Sequence, residues 1–382
     1  MKKIGRPLLW LECRHHTSEL VLKSAWGVLF EDSNGPNNEE FAAFQSVWKY
    51  LDKSSFITLE ILPGLESELR EKTISFLKDL LSQPNKNQQL PRDDYEELAK
   101  LTLLVLGVTD IPGGFSWRKP GAHHKARFMA YVIYCIKMFL FHDMKIDSMK
   151  MEQDGIDLDL DMTEDYVEGL ERMVKFSCLV YVPYFLSSSI GSSAPNNDLE
   201  FLKTLYKYML IDPALANAAL TTFKRHLHYL SGQKILFSLF SNKIDSDKKS
   251  RIAARVLTFP KPDSHECKKP VVVCPKENSE LEDLVTSESW FLFSILGTDS
   301  DWLEKSPELW PEYESYVEMR KFVRTLKVVN DGSERGVKLI QDFSNSITSN
   351  TVTRKYLLKA VQASRENDPT MKKSDLNKKK VI

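Results

Sequence analysis

The chain has 382 residues, long enough for one large domain or about two to three ordinary ones around a sizeable core. Hydrophobic residues make up 42% and charged residues 27%, a globular balance that excludes a disordered chain. The formal net charge of −1 excludes the global positive field of a nucleic-acid binder, so any such role must rest on local patches.

The start, "MKKIGRPLLWLECRHH", carries two lysines but only four apolar residues in a row before Glu12, which is not the pattern of a signal peptide. Within it, "PLLWLECR" is a short apolar run ending in polar residues and predicts a buried strand. From His15 the spacing turns helical, with Leu20, Val21, Ala25, Val28 and Leu29 on one face. "EDSNGPNN" is a loop around Gly35-Pro36. Amphipathic helices follow over 39–52, 65–82 and 93–107, then a Gly/Pro-punctuated loop, "TDIPGGFSWRKPG", over 109–121. The next helix, 123–142, is apolar almost all round and predicts burial on several sides. Its run "FMAYVIYCIKMFLF" is too short to span a bilayer and holds Lys137.

An acidic loop, "EQDGIDLDLDMTED", leads to a helix over 163–186 that Pro183 is placed to kink. Helices over 197–210, 213–230 and 246–257 come next. "FPKPDSHECKKPVVVCPKENSE" (259–280) holds four prolines and is the clearest boundary in the chain. "SWFLFSIL" predicts a buried segment, "SPELWPEYESYVEMRKFVRTLKVV" leads to a late motif, and a last helix spans 352–365. The tail, "MKKSDLNKKK", is basic and predicts disorder. No internal repeat is visible, and the fold class is mainly α with a short strand-like start. Five cysteines (Cys13, Cys135, Cys178, Cys267, Cys274), two of them inside apolar helical runs, are the usage of a reducing compartment, cytosol or nucleus.

Cys13 and His16, three apart at a strand–helix junction, have the spacing of half a zinc site, which needs two further ligands. His265, Cys267 and Cys274 lack the paired spacing of a zinc ribbon or finger. The plainer expectation is a buried Cys13 and a His16 hydrogen-bonded to the strand end. Asp157, Asp159, Asp161, Asp165 and Glu168 fall at positions 1, 3, 5, 9 and 12 of an EF-hand loop, but Met162 stands where the turn needs Gly. As an acidic linker, the same stretch caps the helix that starts near Thr163. Arg118, Lys119, His123, His124, Lys125 and Arg127 gather ahead of the buried helix, where cations and helix N–H groups can hold the phosphates of DNA. A solvated helix start explains them as well. Five lysines between Lys372 and Lys380 suit nuclear import or a weak phosphate grip. No Gly-rich phosphate loop and no Ser nucleophile elbow is present.

The late motif, "VVNDGSERGVKLIQDF" (328–343), places Glu334 and Arg335 just before an apolar helical face. By residues alone, Glu334 is a helix-starting acid, half of a buried ion pair, or a metal ligand. Four segments, "LLWLECRHHTSELVL", "KPGAHHKARFMAYVIYCIKMFLF", "AALTTFKRHLHYLSGQKILFSLFSNKI" and "LKVVNDGSERGVKLIQDF", are similar in content and order to a set of invertebrate transposable-element-derived proteins. Those proteins resemble the C-terminal part of DDE transposases of RNase H-like, hAT-like type. The likeness runs from about residue 5 to 365, and the last segment is the most specific.

The resemblance implies a partial RNase H-like core, made of a short N-terminal strand and late helices, around a large helical insertion. Residues 1–58 then form the strand and first helices, 59–310 the insertion, 311–366 the C-terminal helices with the "NDGSER" motif, and 367–382 the tail. Cys13 and His16 match the family's Cys-x-x-His string, and Glu334 the final catalytic Glu, with Asn330, Asp331 and Arg335 around it. Two Mg²⁺ or Mn²⁺ ions held by such carboxylates activate water or a 3′-hydroxyl for phosphodiester cleavage and strand transfer. Glu334 would be the metal ligand, Asp331 a weaker catalytic candidate, and Arg335 a contact to the carboxylate or a phosphate. The family's two catalytic aspartates belong on strands upstream of "LLWLECR" and have no counterpart here, so the expectation is an intracellular, nuclear fragment that is inactive alone. Without the resemblance, the residues favour an all-helical protein-binding scaffold in which Glu334 and Arg335 simply start a helix.

Overall fold

Four short polar side chains mark where helices begin. The computed structural model describes residues 9–30, 38–83, 90, 92–121, 128–143, 162–261, 272 and 274–330. In it Asn38, Thr163, Asp212 and Asp245 each accept a hydrogen bond from the backbone N–H three residues on, at 2.8, 3.3, 3.1 and 2.8 Å. Each bond satisfies an otherwise orphaned donor of a first helical turn and is worth about 1 kcal/mol.

The helices are α1 (Arg14–Leu29), α2 (Glu39–Val47), α3 (Leu65–Ser82), α4 (Asp93–Val105), α5 (Phe128–Phe141), α6 (Glu164–Phe176) and α7 (Val182–Leu186). They continue with α8 (Ala194–Tyr208), α9 (Pro213–Phe223), α10 (Gly232–Ile235), α11 (Ser246–Leu257), α12 (Phe291–Leu296) and α13 (Glu314–Thr325), with short 3-10 turns between several of them. The chain divides into two compact units, 1–329 and 330–382, and of the second only Asn330 is described. Among the described residues no strand forms, so the protein is mainly helical, and none of their helices is long and apolar enough to cross a membrane. The expected helix over 352–365 and the tail lie outside the described residues.

The strand expected for "PLLWLEC" is absent from its described part, residues 9–13. Two carbonyls of that stretch are taken by side chains instead of a neighbouring strand: His228 Nε2 bonds Trp10 O at 2.8 Å and the Tyr229 hydroxyl donates to Glu12 O at 2.5 Å. The RNase H-like part of the expected fold therefore has no strand among the described residues. The buried face of α1 also differs from the expected one: Ser18, Val21, Leu22, Ala25 and Trp26 are inside, whereas Val28 is 41% exposed. Arg14 and His15 are buried on the same side, and they set the rotation of the helix against α9, where the Ser24 hydroxyl meets Ala218 O.

Between α6 and α7 the helix widens into a π turn over Ser177–Tyr181, with Val182 N–H bonded to Ser177 O. Pro183 follows directly; it has no N–H to return to an earlier carbonyl, and the wider turn is where the helix absorbs that loss. The apolar helix α5 is buried along most of its length, as its composition predicts, and Cys135 and Cys178 sit in the core with their thiols pushed up by burial. Lys137, inside that core, donates to Glu97 at 2.6 Å and to Arg118 O at 2.8 Å and lies 5.2 Å from the Trp48 ring. Extended residues 57–59 close the C-terminal ends of two helices, Ile57 N–H on Leu140 O and Leu59 N–H on Val105 O, both at 2.9 Å. The 109–121 loop is held by Trp117, which packs on Trp48 and Phe141 and meets Phe115 edge-on.

Elements on both sides of the proline-rich stretch pack together, with Trp290 Nε1 on Phe259 O at 3.0 Å and Lys203 on Glu280 at 2.7 Å. Gly232 marks one of the closest approaches there: a Cβ would stand 2.1 Å from Thr286 Oγ1, and Ser289 already donates to Gly232 O at 2.9 Å. Gly232→Ala is expected to lower stability by about 1–3 kcal/mol by overpacking. Adding Thr286→Ala should recover part of that loss, read as coupling in a double-mutant cycle of urea unfolding.

Candidate functional site

A buried guanidinium is costly unless its donors and its charge are met. Arg14, at the centre of the Cys13–His16 string, is 1% exposed. Its Nε and Nη2 reach Asp198 Oδ1 on α8 at 3.1 and 2.5 Å, and Nη1 donates to Ser188 O at 2.9 Å. The Tyr184 hydroxyl on α7 donates to the same carboxylate oxygen at 3.1 Å, and the Tyr184 and Tyr229 rings lie 5.1 and 5.9 Å from the guanidinium carbon. Burial pushes the Asp198 carboxyl up, while Arg14 and the Tyr184 hydroxyl pull it back toward its charged form. Burial also holds the Tyr184 hydroxyl well above its usual range, so it stays a donor.

The neighbours of Arg14 point elsewhere. His15 stacks on Phe185 with ring centroids 4.2 Å apart, and its Nε2 is 3.2 Å from Phe185 O. His16 is exposed and Cys13, the residue just before α1, is half-buried. The strand-end bond expected of His16 is instead made by His228, which sequence spacing did not indicate. Among the described residues no three His, Cys, Asp or Glu side chains come together as metal ligands. At the other end of the unit, Arg14 N–H donates to Val328 O at 2.9 Å, so the backbone leading into the late motif meets the start of α1. Asn330 is exposed, whereas Asp331, Glu334 and Arg335 lie outside the described residues, as does any metal role of Glu334.

Of the proposed DNA-contacting residues, Arg118 is tied to Asp93, Nη1 to its carbonyl at 2.9 Å and Nη2 to its carboxylate at 3.0 Å. That bond raises the Arg118 pKa, and it fixes the loop ahead of α5. Lys119 is exposed, and His123, His124, Lys125 and Arg127 lie outside the described residues. So do Asp157, Asp159, Asp161, His265 and Cys267. Thr163 caps α6 with Glu164 and Asp165 in its first turn, the arrangement expected of an acidic helix start.

Two surface features on α11 had not been singled out by motif. One is an open groove of about 400 Å³ lined by Arg251, Ala254, Arg255, Thr258, Glu282 and Asp283, with Arg251 and Glu282 paired at 2.5 Å. The other is a meeting of cations. Arg320 and Arg324, one turn apart on α13, both aim Nη2 at Asn242 Oδ1, at 3.4 and 2.9 Å. Lys249 of α11 is close enough to feel them: burial pushes its pKa down, Arg320 and Arg324 push it further, and Asp245 opposes. Like charges one turn apart destabilise a helix by about 0.2–0.5 kcal/mol. Among the described residues none of the three cations has an ion pair. The signal was legible in "EMRKFVRT": neither arginine has an acid three or four residues away.

No protein-family model matches the chain, and no curated protein or solved structure matches it.

Asp198→Ala is expected to lower stability by about 3–5 kcal/mol, because it leaves a buried guanidinium without its counter-charge. The double change Arg14→Met with Asp198→Leu should cost less than either single change, measured by equilibrium urea unfolding. His226 and His228 flank the N-terminal approach, and burial pushes both imidazoles down. For His228, Lys234 adds to that effect, while the Trp10 carbonyl and Glu12 oppose it. The unfolded chain therefore takes up these protons first, at about pH 6.5, and binds more of them than the folded chain as pH falls below that value. The melting temperature should drop between about pH 7.5 and 5.5, and drop less steeply in His228→Gln, whose amide can still donate to Trp10 O.

Proposed function

We propose that the chain is a helical binding scaffold that does no chemistry of its own. The observation that carries this is the placement of its most perturbed charges. Arg14, Asp198 and Lys137 lie inside the core, Arg14 paired with Asp198 and Lys137 with Glu97 of the neighbouring helix α4, out of reach of any substrate. Strongly shifted groups in an open cleft would argue for catalysis; shifted groups in a closed ion-pair network are structural. A continuous core of this kind holds its outer faces rigidly, and the polar groove beside α11, carrying both signs of charge, is a surface on which a protein partner can be read.

A second function is favoured by the Arg14–Val328 bond, which brings the approach to "NDGSER" onto the Cys13–His16 string. On that basis the chain derives from a DDE transposase, DNA is its partner, and Glu334 is a ligand for Mg²⁺ or Mn²⁺ beside Asp331 and Arg335. The two part company in sequence selectivity. Selection of duplex and hairpin DNA from a random library against the full chain is expected to enrich nothing, with any binding falling smoothly as salt rises. One enriched sequence, or Mn²⁺ binding by calorimetry that Glu334→Gln abolishes, overturns the scaffold in favour of transposase descent.

A further inference from the structure

We propose that Lys249, Arg320, Arg324 and Asn242 form a binding site for a phosphate monoester. The inference stands apart from the scaffold function and would survive its failure. Two guanidinium groups of α13 converge where Asn242 supplies the acceptor oxygen that they share, and the Lys249 ammonium of α11 is near enough to feel both. A single neutral amide oxygen is a weak partner for two guanidinium groups, each of which can hold an oxyanion through a pair of parallel N–H bonds. Arg324 and Asn242 are exposed, and Lys249 and Arg320 are half-buried, so a ligand can approach while the cations are partly shielded from water. Among the described residues the buried carboxylates of Asp198, Asp212 and Glu66 are each paired with a cation, whereas Arg320 and Arg324 have no ion pair and Lys249 feels only the attraction of Asp245.

Charge selects the class of ligand. Two guanidinium charges face the site with the Lys249 ammonium nearby, its charge offset in part by Asp245, and a phosphate monoester brings about 1.5 to 2 negative charges, against one for a diester. Nucleic acid presents its charge as an extended row, one for about every 1.7 Å of duplex axis, and is met by a strip of cations. The two arginines here aim instead at one point, with Lys249 close enough to repel them. The ligand is therefore a monoester, either free or carried on a phosphorylated serine or threonine.

Calorimetric titration of the full chain with N-acetyl-phosphoserine amide, N-acetyl-serine amide, inorganic phosphate and a 20-base-pair duplex tests this. The phosphorylated amide should bind and the unphosphorylated one should not, and Arg324→Gln and Lys249→Gln should each weaken binding roughly tenfold or more, the effect of losing one charge-assisted hydrogen bond. Because Arg324→Gln relieves a repulsion, its melting temperature should be unchanged or higher, which separates lost binding from lost fold. Tighter binding of the phosphoserine amide than of inorganic phosphate identifies a side-chain phosphate as the source, and the reverse order identifies a free one. Binding that is absent, or undiminished in both variants, overturns the proposal. So does a duplex that displaces the phosphoserine amide and depends more strongly on the same residues, which would make the site a nucleic-acid contact.

Discussion

The buried pair of Arg14 and Asp198 is the constraint around which much of the described unit is arranged. Two charges this deep are tolerable only if every donor and acceptor is met, and the chain meets them with α1, α7, α8, the Ser188 carbonyl and the rings of Tyr184 and Tyr229. The geometry propagates outward. With Arg14 inside, α1 must turn Ser18, Val21, Leu22 and Ala25 toward α9 and Val28 toward solvent. With the start of α1 fixed, the approach over residues 9–13 is anchored on the 3-10 turn at His228–Leu230, and the first helical N–H finds Val328. An ion pair of this kind adds little net stability compared with well-packed apolar residues, but it penalises every arrangement in which one partner lacks the other.

The same accounting of charge separates the interior from the working surface. Lys137 with Glu97, Arg172 with Asp212, and Lys175 with Glu66 repeat the pattern at different depths, each tying a helix to another helix. Asp212 serves twice, capping α9 and receiving both Nε and Nη2 of Arg172. Against that background Arg320 and Arg324 stand out beside Lys249, since neither arginine has an acid at a helical neighbour position to remove the repulsion among the three. A fold that neutralises its charges inside and concentrates unneutralised ones at a junction of two helices is built to meet a charged partner there.

The Cys13–His16 string illustrates how a motif and its use can diverge. Four consecutive residues of a helix start point in different directions, so the string cannot act as a unit. Arg14 and His15 turn inward and hold the core, His16 faces water, and Cys13 sits at the cap.

Local information was legible in the sequence wherever a local cause acts. The periodicity of 65–82 and 246–257 marked α3 and α11 to the residue, the helix expected over 213–230 starts at Pro213 but ends at Phe223, and the apolar run 128–141 announced a helix buried on several sides. Pro183 was read as a disturbance, and it became a π turn followed by a restarted helix. What the sequence by itself determined is therefore the helical class and most helix boundaries, because capping, proline geometry and periodicity act within a few residues. Only the tertiary structure decided that "LWLEC" is a tethered approach and not a strand, that Arg14 faces inward, and that Lys249 joins Arg320 and Arg324. Those outcomes depend on residues far away along the chain, 184 positions for Arg14 and Asp198, 218 for Trp10 and His228 and 78 for Asn242 and Arg320, separations at which no local spacing carries information, and they are settled by which charges and carbonyls the packed helices bring within reach.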